Sequence, residues 1–289
     1  MAALVLAAGA VALWSTNAVV GKALLADLAV SQVQLLQFAG AAMFFALIRL
    51  AGRPGNPRDA DGLGLFPLAV GFVGLVGTMV LQYVAFASMP VIEGNLVAYT
   101  WPLMVAVAAI VFDRSRRPVL LGTAAAAGFV GVALVIWGGR DRTWFQGDPA
   151  GYVAAFGSAL CMAFYSMVAG RLAVSPDRLL LPSSLIGLVL ALAWCAHDGV
   201  AWPAGSYLAL GLYLGVGPMG LGYYLWSRAV RLESGGRVAV VAYLTPIAST
   251  LLLALSGERL TMTAVAGAVL VVGSCLAVAP ERSEPESHV

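Results

Sequence analysis

Tyr99, Trp101 and Pro102 fall within four residues of one apolar run. Proline inside a helix removes one backbone hydrogen bond and releases the carbonyl four residues earlier, here Ala98. Aromatic rings beside a released carbonyl can hold a solute with one apolar and one polar end. The arrangement returns as Tyr243 and Pro246, with Ala242 as the released carbonyl. Other apolar runs carry Trp14 with Asn17, Gln82 with Tyr83, and Tyr165. Buried amides require partners, so Asn17 and Gln82 are candidates for contacts to a polar group. The expected substrate-binding set is therefore Trp14, Asn17, Gln82, Tyr83, Tyr99, Trp101, Tyr165 and Tyr243. Pro102 and Pro246 are the expected kinks or gates.

The same runs are poor in catalytic chemistry. Asp27, Glu93, Asp113, Asp198 and Glu258 fall at loops or run ends, and no His lies deep in a run. No metal site, catalytic dyad or phosphate loop can be assembled, so no cofactor and no enzymatic activity are expected. Proton-coupled carriers usually bury an ionisable group, so this pattern points to facilitated or weakly coupled transport. Cys161, Cys195 and Cys275 all lie in apolar stretches and suggest no disulfide framework.

Lipid must position these residues. Hydrophobic residues make up 61% of the 289, and charged residues only 10%. A soluble domain is about a quarter charged. Apolar runs fall at about 2–25, 32–51, 65–88, 91–112, 118–138, 148–170, 179–197, 204–227, 235–255 and 261–279. Each is close to the ~20 residues that cross a bilayer. The expected fold is an all-α integral membrane protein of ten transmembrane helices. The first run reads as a membrane helix and not as a cleaved signal, because no basic region precedes it. The residues from 281 to 289 read as a polar tail.

Ten spans divide the 16 Lys and Arg unevenly. Arg49, Arg53, Arg58, Arg114, Arg116, Arg117, Arg171, Arg178, Arg228, Arg231, Arg237 and Arg282 share one side, whereas Lys22, Arg140, Arg142 and Arg259 share the other. The positive-inside rule then puts both termini in the cytoplasm of a multi-pass inner-membrane protein. A net charge of +2 gives no reason to expect a nucleic-acid partner. The bilayer and a small solute are the expected partners.

The chain also repeats itself. Val97-Ala98-Tyr99-x-x-Pro102 returns 144 residues later as Val241-Ala242-Tyr243-x-x-Pro246, and Gly71 meets Gly215 at the same offset. Each copy holds five spans, over 1–140 and 147–280. Five is odd, so the second copy enters the membrane inverted, an architecture of secondary transporters with the solute at the repeat interface. Gly71-x-x-Gly74-x-x-Gly77 and Gly211-x-x-x-Gly215-x-Gly217 offer faces for close helix approach. Trp137, Trp144, Trp194 and Trp202 lie near run ends, where an interfacial belt explains them.

Trp14-Ser15-x-Asn17, Lys22 at the end of the first run, and Gly257-Glu258-Arg259-Leu260-Thr261 before the last resemble the EamA-type carriers of the drug/metabolite transporter superfamily. Ala98-Tyr99-x-Trp101-Pro102 is similar to the amino-acid-exporting members. The resemblance implies inverted five-helix repeats, a central cavity near Trp14, Tyr83, Tyr99 and Trp101, and export of amino acids with aromatic ones prominent. The first copy departs from the pattern, with Asp113-Arg114 where the second has Gly257-Glu258. Two rival readings stand beside amino acid export: an exporter of another metabolite or drug, and a membrane receptor or scaffold without transport.

Overall fold

The chain is described here by a computed structural model covering residues 1–51, 63–113, 115, 117–137, 147–203, 205–233, 236–248 and 262–278. Expectations for Arg53, Arg58, Arg114, Arg116, Arg140, Arg142, Trp144, the Gly257–Thr261 segment and the tail lie outside those residues. Regular structure in the described residues is helical throughout. The helices are α1 (Ala2–Leu25), α2 (Val30–Ala51), α3 (Leu65–Ser88), α4 (Val91–Ala98), α5 (Trp101–Val111), α6 (Pro118–Trp137), α7 (Pro149–Ala169), α8 (Pro176–Asp198), α9 (Ser206–Leu232), α10 (Arg237–Ala248) and α11 (Met262–Ala277). Counting Glu93–Val111 of α4 and α5 as one span, eight are long and apolar enough to cross a membrane; α10 and Val265–Ala277 of α11 are shorter apolar helices.

Local chemistry explains where several helices begin. Pro149 and Pro176 lie at first-turn positions, where a missing N–H costs nothing. Asp148 caps α7 by accepting from the Ala150 N–H at 2.9 Å. At the other end of α8, Gly199 takes the left-handed conformation that stops the helix (φ 63°).

Helix pairs then pack through small residues. The principal pairs are α6 with α11, α2 with α8, α3 with α7, α2 with α9 and α1 with α9. In the absence of a hydrophobic driving force between helices in lipid, close backbone approach supplies the attraction. A methyl group at Gly215 would stand 2.8 Å from the Cα of Gly40, and one at Gly131 would stand 2.7 Å from the Gly267 carbonyl. Large apolar side chains such as Val5, Leu50, Val153, Val189 and Leu276 face outward. An exposed apolar surface of this extent suits a hydrocarbon solvent, not water.

Two departures from regular α-helix shape the interior. Phe72–Gly77 of α3 and Gly215–Gly222 of α9 are wound as π-helix. Pro218 lies inside the second of these and has no N–H to give. A π turn absorbs such an interruption without ending the span. Gly74 and Pro218 occupy these segments at the same 144-residue offset as Pro102 and Pro246.

The expected kink at Pro102 is a full break. Helix α4 ends at Ala98, the Thr100 N–H donates to the Val97 carbonyl at 3.1 Å, and Pro102 sits in the first turn of α5. The second expected kink is similar, with a tight turn at Ala242 and Tyr243 inside α10. There the carbonyl of Ala242, expected to be open, accepts the Thr245 N–H at 3.0 Å. Tightening to an i→i+3 bond is how a broken helix satisfies itself away from water.

Candidate solute-binding centre

Five rings from four spans meet in the interior. Trp14 of α1 lies 5.3 Å from Trp226 and 5.8 Å from Tyr223, both on α9. Trp101 at the start of α5 packs edge-on against Trp226 at 5.2 Å. Tyr165 of α7 lies 5.7 Å from Tyr223. Edge and tilted contacts at these distances are favourable ring geometries. Trp226, Tyr223 and Tyr165 are almost wholly buried.

Four of the five rings have a partner for their polar handle. The Trp14 indole donates to the Pro218 carbonyl at 3.0 Å, and the Tyr223 hydroxyl donates to the Gly74 carbonyl at 3.2 Å. Both carbonyls belong to the π-helical segments. The Trp226 indole donates to Ser166 Oγ at 3.0 Å, and the Tyr165 hydroxyl lies 2.6 Å from Ser227 Oγ. A side chain at Gly74 would run into the Tyr165 ring, so glycine is required for this approach.

One turn along α1 the surface becomes polar. Asn17 follows Trp14 by three positions, which puts both on one helix face. Asn17 Nδ2 donates to Gln82 Oε1 at 3.3 Å, and the Tyr83 hydroxyl donates to Asn17 Oδ1 at 3.0 Å. Gln37 Nε2 donates to the Tyr83 oxygen at 2.9 Å, and Gln34 Nε2 donates to Gln37 Oε1 at 2.8 Å. Gly21 leaves room for this, since a methyl group there would stand 2.7 Å from the Tyr83 hydroxyl.

The structure thus unites Trp14, Trp101 and Tyr165 in one cluster, and Asn17, Gln82 and Tyr83 in the polar layer beside it. Tyr99 and Tyr243 are elsewhere. They pack together with Val240, Ala125 and Val132 in a second core against α6 and α11. Trp226, Tyr223, Gln34 and Gln37 were not among the residues picked from the sequence. Trp226 stands two positions before Arg228, beyond which α9 continues to Leu232. Gln34 and Gln37 occur near the start of α2, where glutamine usually meets water, and no local pattern signals their burial.

Ion pairs and polar contacts bracket the centre. At one end Arg171 pairs with Asp113, Arg237 pairs with Glu233 at 3.2 Å, and Arg49 stands 4.0 Å from Asp177. At the other, Tyr152 donates to the buried Glu93, the Ser31 hydroxyl donates to Asp198 at 2.6 Å, and the Tyr207 hydroxyl donates to Asp27 at 3.0 Å. From the first end a narrow cleft, with Asp113, Glu233 and Gly236 among its lining residues, reaches Trp226. It has space for little more than a water molecule.

A bundle of membrane-length helices around a ring-and-amide centre defines a class: a multi-pass integral membrane protein. Residues 1–137 and 149–279 match the EamA-like transporter family, and the chain belongs to that family. A curated relative, the aromatic amino acid exporter YddG of Ancylobacter novellus, is 28% identical over 229 residues, covering 75% of this chain and 80% of that protein. A solved crystal structure superposes with a TM-score of 0.78 at 25% identity, covering 95% of this chain and 94% of that one.

Proposed function

We propose that this transporter exports amino acids with aromatic and other apolar side chains across the bacterial inner membrane by alternating access. Its ten spans form two inverted five-helix repeats, residues 1–140 and 147–280, with both termini in the cytoplasm. The observation that carries the reading is the five-ring cluster lying one helical turn from a buried amide network. Rings accept the apolar side chain, and amides accept the charged end.

Trp14, Trp101 and Tyr165 line the side-chain end, joined by Trp226 and Tyr223. Asn17 and Gln82 meet the charged end, and Tyr83 orients them. Tyr99 and Tyr243 serve the cycle from the broken spans, where Pro102 and Pro246 act as paired gate elements. The common 144-residue offset of the two breaks and the two π-helical segments supports the inverted repeat. The similarity to an aromatic amino acid exporter supports the substrate class. Because the cluster is packed and the cleft to Trp226 narrow, solute entry requires the rings to part. Flux of labelled tryptophan and phenylalanine into sealed vesicles tests the proposal, and protein-dependent saturable flux is expected.

A further inference from the structure

The amide network has a direction, and the direction selects the charge it can recognise. Amide nitrogen and oxygen occupy nearly the same positions, so orientation has to be decided by which arrangement satisfies more groups. As described, each member donates toward the next: Gln34 to Gln37, Gln37 to Tyr83, Tyr83 to Asn17, Asn17 to Gln82. The phenol has a single proton, so Tyr83 cannot donate both ways and passes the polarity on. This direction leaves one buried acceptor, Gln34 Oε1, without a partner. Reversal would put the Gln34 NH2 in that place. Two unmet donors would then stand on a side chain with no solvent exposure. Orphaned buried N–H groups are rarer and costlier than under-used carbonyls.

The far end of the chain is Gln82, which is half-buried. Its oxygen is occupied by Asn17, and among the described residues nothing accepts from its Nε2. Gln82 therefore offers an NH2 with both N–H groups open, whereas its oxygen already accepts from Asn17 and keeps one lone pair. Donors meet a carboxylate in a charge-assisted hydrogen bond, whereas an ammonium has nothing to accept them.

We propose that Gln82 binds the carboxylate of the carried amino acid through its amide NH2, and that Gln37 and Gln34 are positioning residues that fix this polarity through Tyr83 and Asn17. The inference rests on the amino acid reading above and adds which end of the solute this layer takes. The ammonium is left to other groups of the centre.

The test is calorimetric binding of two tryptophan analogues to the purified full-length protein. Indole-3-propionate keeps the carboxylate and lacks the ammonium; tryptamine does the reverse. Indole-3-propionate should bind about tenfold tighter or more, the scale set by one charge-assisted hydrogen bond. Gln37→Leu removes the donor that orients Tyr83 and should bring the ratio toward one. Tyr83→Phe, which cuts the same relay, should do likewise if Gln37→Leu fails to fold. Equal binding, tighter tryptamine binding, or no binding of either analogue to the wild type would overturn the proposal. So would an unchanged ratio in a variant with a normal unfolding transition. Absent tryptophan flux with the binding ratio intact would instead sink the transport reading and leave the carboxylate subsite standing.

Discussion

Trp14 on the first helix donates its indole N–H to the carbonyl of Pro218, 3.0 Å away and 204 positions along the chain. Tyr223 makes the reciprocal contact, donating to Gly74 at 3.2 Å. Each bond joins a residue in one family-matched stretch to a π-helical carbonyl in the other. The aromatic cluster is thus tied to the two segments where the spans depart from regular winding.

Removing the first tie should be mild for the fold. Trp14→Phe keeps a ring beside Trp226 and loses the bond to Pro218. One such bond contributes about 1 kcal/mol, so a small drop in thermal unfolding midpoint is expected. Flux should fall further than stability does, because the bond links the ring to the π-helical segment. Normal flux with the indole bond removed would show that the tie has no part in transport.

Close approaches should tolerate little. In Gly74→Ala the new methyl runs into the Tyr165 ring. Overpacking of this kind costs about 1–3 kcal/mol. Reduced membrane abundance and a lower unfolding midpoint are expected. Gly273→Ala provides the comparison, since nothing stands near a methyl group at Gly273.

The Arg171–Asp113 pair joins the ends of α7 and α5 at the mouth of the cleft. Both side chains are partly exposed, and such pairs contribute at most about 1 kcal/mol to stability. Arg171→Asp should therefore leave abundance near normal and change flux severalfold through repulsion with Asp113. Adding Asp113→Arg should restore it. Flux unchanged in the single variant would remove the pair from the cycle.

Orientation can be read with a membrane-impermeant thiol reagent on intact spheroplasts, after Cys161, Cys195 and Cys275 are replaced by Ala. Ser115→Cys should be protected and Ala201→Cys labelled. The opposite pattern would invert the proposed topology.

The eight membrane-length helices were legible because hydropathy is a local property. Span edges followed from it to within a few residues: α1 and α3 begin and end where the apolar runs do, whereas α9 outlasts its run and carries Arg228 and Arg231 within the helix. Trp14, Trp101, Asn17 and Gln82 stood out as aromatic or amide groups deep in apolar runs. The assembly of the centre was not legible. Which side chains meet depends on helix rotation and on small residues such as Gly74 and Gly21, whose effect appears only when a neighbour arrives. Gln34 and Gln37 look like residues of a wet helix end until α3 covers them with Tyr83. The Pro102 break exceeded the expected kink: the Tyr99 N–H ends α4 on the Asn95 carbonyl, and the Thr100 N–H closes the turn with an i→i+3 bond to Val97.

The most direct measurement is the flux of labelled tryptophan into sealed liposomes, comparing the wild type with Trp101→Ala and Trp137→Ala at equal protein content. Trp101 lies in the ring cluster, and Trp137 lies partly exposed at the end of α6. Saturable wild-type flux, lost in Trp101→Ala and kept in Trp137→Ala, is the predicted result. Wild-type flux no greater than that of empty liposomes, or full flux in Trp101→Ala, would contradict the assignment of this ring cluster to aromatic amino acid export.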